Sequence, residues 1–179
     1  RANILSENIV KFGNPHSVVT NNDPKDFSSL PNFFDLILVD APCSGEGMFR
    51  KDEIAINEWS IENVTMCAVR QKSILKDAWD SLKPGGFLIY STCTYNTLEN
   101  EHVAQWALHA LDADFIEVDV DWAWDITNSY DDKVKAYRFF SHKTKGEGLF
   151  VTVIKKNGGD ESSYQSTINH KSTKKNKKN

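Results

Sequence analysis

Two cysteines, Cys43 and Cys93, occupy the same kind of position in the chain, and a carboxylate, Asp40, stands beside the first. Cys43 follows Asp40, Ala41 and the rigid Pro42, while Cys93 follows Ser91-Thr92 and precedes Thr94-Tyr95. A lone cysteine is more often a small buried core residue than a reagent. Two of them, each just past an apolar run and with an acid at hand, point to chemistry. A free thiol with a pKa of about 8.5 is only a few per cent thiolate at neutral pH, yet that thiolate is a strong, soft nucleophile for an electron-poor carbon. None of the five histidines (16, 102, 109, 142 and 170) adjoins either cysteine in sequence, so no papain-like pair is marked out.

A pyrimidine C6 is a suitable target for such a thiolate. Attack there makes C5 carbanion-like and ready to accept a methyl group, and a carboxyl group held close to the base eases the attack by protonating N3. The elements that would carry these groups are short. Leu36 to Val39, behind Phe34, is too brief for a free-standing helix and ends in turn residues. It reads as a strand buried on both faces, as in the middle of a parallel sheet. Gly86-Phe87-Leu88-Ile89-Tyr90 reads as a second buried strand. Ligands of open parallel sheets bind at the carboxyl ends of the strands, where both cysteines fall.

The rest of the chain alternates. A helix is expected over 1–12, with Ile4, Leu5, Ile9 and Phe12 near one face and Gly13 as its stop. His16 to Asn21 reads as a short strand, Lys25 to Asn32 as a connector, and Trp59 to Leu82 as a long helix broken by Pro84-Gly85-Gly86. Thr97 caps a helix running to about Leu111. Strands follow near 114–119, 137–140 and 148–155, with an irregular Trp- and Asp-rich loop at 121–134. Strand–helix alternation of this kind gives an α/β fold with an open, doubly wound sheet. Trp59, Trp79 and Trp106 fall in helix patterns and read as packing residues; Trp122 and Trp124 have no assignment.

Composition bounds the function. At 179 residues and 40% hydrophobic content the chain is one domain's worth. No apolar run approaches the roughly 18 residues of a membrane span. The three cysteines (43, 67 and 93) form no CxxC pair, which argues against a disulfide scaffold or a metal site and for a reducing, cytoplasmic home. Net charge is -4, but from Gly158 onward five Lys face one Asp and one Glu. That leaves -7 on the body, so any nucleic-acid contact must come from local patches. The expected division is a folded domain at 1–157 and a disordered Lys-rich tail or linker at 158–179.

The segments Asp40-Ala-Pro-Cys-Ser-Gly-Glu-Gly-Met-Phe-Arg-Lys-Asp52 and Leu82 to Glu101 (LKPGGFLIYSTCTYNTLENE) closely resemble the Sun/Nop family of RNA (cytosine-5) methyltransferases. Gly146-Glu147-Gly148-Leu149-Phe150, preceded by Arg138 and His142, is similar to that family's last catalytic-domain motif; Ser141 stands where proline is expected. The resemblance covers about residues 1–156. It implies a Rossmann-like S-adenosylmethionine-dependent methyltransferase fold. It further implies Cys93 as the nucleophile bonding to cytosine C6, Cys43 as an aid to release of the methylated base, and Asp40 in contact with both cofactor and cytosine. Asp23 and Pro42 would join Asp40 in binding S-adenosyl-L-methionine, and Arg50 and Lys51 would lie near the RNA. Bland readings stand beside two of these: Asn21-Asn22-Asp23-Pro24 is also good turn sequence in which Asp caps the next segment, and Arg50 and Lys51 are equally solvated charges.

The family's glycine-rich cofactor loop and the acidic residue after the next strand have no counterpart here. The resemblance therefore implies that this polypeptide lacks strands one and two of the order 3-2-1-4-5-7-6. Such a loss would leave a gap of roughly 10 Å beside the 34–40 strand. The chain is then expected to need the missing N-terminal half to bind cofactor. The RNA is expected to be ribosomal, with transfer RNA as the alternative. Two rivals are a non-catalytic RNA-binding or assembly module and a DNA cytosine methyltransferase; the latter normally carries its nucleophile in a PCQ-type motif, which would leave Cys93 without a task.

Overall fold

A computed structural model describes residues 2–159; the Lys-rich segment from Asp160 onward lies outside the described residues. The first helix, α1 (Ala2–Phe12), matches its expected range and buries none of its side chains. The HSVVTN segment is not a strand. His16 lies in a turn, residues 17–21 carry no regular secondary structure, and Val18 is exposed. The consecutive β-branched Val18-Val19-Thr20 favour a strand, but a strand exists only where a neighbour accepts its hydrogen bonds. A 3₁₀ turn at Pro24–Ser29 follows, capped by Asp23.

The sheet begins with β1 (Phe34–Asp40). A short helix, α2 (Glu53–Glu58), lies in a segment where none was expected. The expected 59–82 helix is α3 (Ile61–Trp79), which starts after an extended Trp59, where the Ser60 hydroxyl accepts from the Asn63 amide. Serine at that place is a strong helix start. Next come β2 (Leu82–Thr92), α4 (Glu101–Ala110), β3 (Ala113–Ile116), the two-residue β4 (Thr127–Asn128), β5 (Ala136–Phe139) and β6 (Leu149–Lys156). Pro84-Gly85-Gly86 does not precede β2 but lies inside it, where the register with β1 shifts.

β1 and β2 are parallel, β2 pairs antiparallel with β6, and β6 pairs antiparallel with both β3 and β5. The path β1-β2-β6-β3 reproduces the 4-5-7-6 part of the expected order. Leu88 and Tyr90 of β2, with Phe150 and Ile154 of β6, form the covered face together with Leu75 and Trp79 of α3 and Val103, Ala104 and Ala107 of α4. On α3 the buried positions Val64, Gln71, Leu75 and Ala78 recur at helical spacing, as an amphipathic helix requires. The opposite face is less covered. β1 is a sheet edge rather than a central strand, and Leu36 and Leu38 are 55% and 64% exposed. An apolar run cannot tell a strand with two neighbours from one whose second neighbour is absent.

Candidate active site at two strand tips

β1 and β2 are adjacent and in register, with Asp40 opposite Ser91, so their carboxyl ends deliver Cys43 and Cys93 to one place. The two sulfurs are 3.3 Å apart. Two thiols in contact cannot both ionise freely; one holds its proton and donates it to the other. The hydrogen bond with Cys93, followed by burial, pushes the Cys43 thiol far up. The same hydrogen bond lowers Cys93 to about 7 against burial and the Asp40 charge, which oppose it. Cys93 is therefore substantially thiolate at neutral pH, without a histidine.

Alkylation of Cys93 by iodoacetamide rises with pH through about 7. Cys43→Ala removes the S–H donor and leaves burial, Asp40 and Glu99 acting upward, so the midpoint moves to the ordinary 9.0 or above. A midpoint unchanged in the variant would refute this account of the pair.

A cleft of about 1150 Å³ runs along β1 to the cysteines, with Asp23, Asp40, Pro42, Cys43 and Cys93 among its lining residues. Asp23 also serves the turn: its carboxylate accepts from the Lys25 amide while Asp26 returns a bond to the Asp23 amide, a reciprocal cap. Arg50 and Lys51 are not on that cleft. Arg50 donates to the carbonyls of Ser141 and Gly146, and Lys51 pairs with Glu147 at 2.8 Å, so both tie down the 141–147 loop.

The sequence reading missed a buried polar web behind the cysteines. Glu99, Asn100 and Thr94 are fully buried. Glu99 takes hydrogen bonds from Ser44, Gln71 and Asn96, and Asn100 links Thr92 to the Thr94 carbonyl. Gln71 spends both amide donors on Glu99 and the Pro42 carbonyl, leaving its Oε1 without a partner among the described residues. The only signal in the sequence was an excess of polar residues after Cys93, which reads equally as a helix start. The loops also meet through Gly47, whose amide donates to the Cys93 carbonyl at 2.9 Å. A Cβ there would lie 2.7 Å from that carbonyl oxygen. Gly47→Ala is expected to cost about 1–3 kcal/mol, measured by urea unfolding; a neutral outcome would show that the loops part freely.

A parallel β1–β2 pair joined to the antiparallel β6, with α3 and α4 packed on the sheet, is a Rossmann-like methyltransferase fold. Solved structures agree: PH0851 superposes on 87% of the chain with a TM-score of 0.79 at 21% identity, a likeness of fold. NSun6 from Pyrococcus horikoshii, solved with SFG, covers 89% of the chain and 39% of its own length, with a TM-score of 0.74 and 26% identity. The family profile described as 16S rRNA methyltransferase RsmB/F matches residues 1–155. The chain belongs to that family, in keeping with the Sun/Nop resemblance of its two cysteine motifs. Among its relatives, ribosomal RNA small subunit methyltransferase F of Pectobacterium atrosepticum is 46% identical over 107 residues, 59% of this chain and 22% of the relative. That of Aeromonas hydrophila is 47% identical over 116 residues, 64% and 24%. The chain thus spans about a quarter or less of the curated relatives it matches.

Proposed function

We propose that this chain is the catalytic-cysteine part of an S-adenosylmethionine-dependent RNA (cytosine-5) methyltransferase acting on ribosomal RNA. The observation that carries the reading is the contact between Cys43 and Cys93 at one end of a cleft that Asp40 also lines. Cys93 attacks C6 of the target cytosine, which must first leave its stack at a cost of a few kcal/mol. Asp40, at the end of β1, faces N3 and accepts a hydrogen bond from it once N3 is protonated as C5 gains electron density. Bound S-adenosylmethionine would supply an electrophilic methyl group to that carbon and leave as its thioether. Cys43, directly or through water, then assists removal of the C5 proton to a base, the C5–C6 double bond re-forms, and the Sγ–C6 electron pair returns to Cys93 as thiolate, which frees the base.

The fit to that cofactor rests on the cleft itself. It is large enough for a nucleoside joined to an amino acid, and Asp23, Asp40 and Pro42 are among its lining residues. The family relationship supports it, as does SFG, an analogue of S-adenosylmethionine, in NSun6. A position of Arg50 and Lys51 near RNA remains part of the reading, with both side chains bound to the 141–147 loop. Three free thiols suit a cytoplasmic location, and among the described residues no helix is long and apolar enough to cross a membrane.

The edge of β1, with Leu36 and Leu38 uncovered, supports a need for further strands supplied by an N-terminal half. Two measurements test the whole. Full-length protein with labelled S-adenosylmethionine is expected to methylate cytosine in small-subunit ribosomal RNA, and neither DNA nor transfer RNA to the same extent. Residues 1–179 alone are expected to bind the cofactor at least tenfold more weakly than the longer polypeptide; equal binding would remove the N-terminal requirement.

A further inference from the structure

The polar web is arranged reciprocally. Glu99, on the segment that leaves the Cys93 loop, accepts from the backbone amide of Ser44 at 3.0 Å and from its hydroxyl. Ser44 is the residue after Cys43. Glu46, on the Cys43 loop, accepts from the amides of Tyr95 and Asn96 at 2.7 and 2.8 Å, two and three residues after Cys93. Each loop therefore carries a carboxylate bound to the other loop's backbone. Glu99 is anchored further by Gln71 of α3 at 2.8 Å and Asn96 at 2.7 Å, and Glu46 by the Trp59 indole at 3.0 Å. A wholly buried carboxylate is stable only when such donors replace its water, and a neutral apolar pair would pack the same space at less cost. Neither residue reaches the sulfurs themselves.

We propose that Glu99 and Glu46 are positioning residues whose crossed hydrogen bonds hold the Cys43 and Cys93 sulfurs in contact. Glu99 acts through Ser44 on Cys43, and Glu46 acts through Tyr95 and Asn96 on Cys93. The catalytic meaning of that contact rests on the function proposed above, but the clasp is a property of the two loops and is measurable without RNA. The titratable groups acting on Cys93 are the Cys43 thiol, through its hydrogen bond, and the Asp40 and Glu99 charges. The Glu99 charge raises its pKa, whereas the Cys43 contact lowers it by more. A variant that only removes charge and one that loosens the contact thus have opposite signs.

The test is the pH dependence of Cys93 alkylation by iodoacetamide in the full-length protein, resolved from Cys43 and Cys67 by peptide mass spectrometry. In Glu99→Gln the midpoint is expected to rise from about 7 towards the ordinary 9.0, with alkylation at pH 7 roughly tenfold slower. Glu46→Gln, on a less buried site, should do the same and serves if Glu99→Gln fails to fold. In a Cys43→Ala background, which has no side-chain donor to lose, Glu46→Gln should leave the midpoint where it is and Glu99→Gln should only lower it, by removal of its charge. With Cys43 present, a fall in the midpoint or no change would overturn the clasp, as would an equal rise in both backgrounds. The two readings fail separately: wild-type protein that neither methylates RNA nor forms an adduct on 5-fluorocytosine RNA would refute the methyltransferase assignment while leaving the alkylation results intact. An active enzyme whose Glu99→Gln and Glu46→Gln midpoints stay at the wild-type value would refute the clasp alone.

Discussion

Cys93→Ala in the full-length protein is expected to lower methyl transfer to RNA by roughly 10⁵-fold, the scale on which loss of a covalent nucleophile acts. It should also form no covalent adduct with 5-fluorocytosine RNA in the presence of S-adenosylmethionine. Cys43→Ala is expected to behave oppositely in the second assay. Its nucleophile remains, but the step that frees the base is impaired, so an adduct should persist on unmodified RNA. The two sulfurs are 3.3 Å apart, so position alone does not distinguish their roles. The adduct assays do; their shared hydrogen bond moves the two thiols in opposite directions, Cys43 up and Cys93 down, which favours Cys93 as the nucleophile. Loss of Cys43 also removes the S–H donor that keeps Cys93 ionised, so Cys43→Ala should attack more slowly at pH 7 and recover at higher pH. The assignment is sunk by one clear result, in which Cys43→Ala abolishes the adduct on 5-fluorocytosine RNA at every pH while Cys93→Ala retains it.

What could be read in advance divides along a physical line. The strands ending at Asp40 and Thr92 were legible because a buried strand is written locally, as an apolar run closed by turn residues. The meeting of Cys43 and Cys93 followed from placing those runs side by side. The error over His16–Asn21, and over the coverage of β1, has a common source. Sequence period gives a strand's own faces but says nothing of who sits beside it. The expected 59–82 helix is present with trimmed ends, starting after its Ser60 cap, whereas the short α2 before it has no apolar periodicity to mark it.

Glu99 and Glu101 were hidden for a different reason. Acids at the start of a helix are ordinary solvent-facing companions of its dipole, and Leu98-Glu99-Asn100-Glu101 reads that way. Their burial depends on Gln71, reaching across from α3, and on Arg138, 37 residues downstream of Glu101 on β5. Only tertiary structure brings those partners. The same holds for Arg50 and Lys51: their charges were visible, but their engagement with the 141–147 loop was not.

The Glu101–Arg138 pair carries the largest expected effect on stability. Both side chains are about 2% exposed. Arg138 gives Nε to Glu101 at 2.8 Å and pairs a second time through Nη2, a two-pronged match of guanidinium to carboxylate. Its remaining arm donates to the Tyr95 carbonyl at 2.8 Å, and its plane lies 4.3 Å from the Tyr130 ring centroid. Glu101 in turn accepts from the Tyr130 amide at 3.1 Å. Glu101→Ala would leave a guanidinium buried with one hydrogen-bonded arm and no counter-charge, at a cost of about 3–5 kcal/mol. For a domain with a total stability of about 5–15 kcal/mol that is a large fraction, equivalent to a fall of about 10 °C in Tm. Replacing both partners, as in Glu101→Leu with Arg138→Met, removes the uncompensated charge and is expected to restore most of that loss. Restoration of stability need not restore activity, because Arg138 also fixes the Tyr95 carbonyl two residues beyond Cys93. Urea unfolding of the single and double variants separates the effects. A single variant within about 1 kcal/mol of wild type would mean that water enters the site and that the pair is not the buried anchor its geometry indicates.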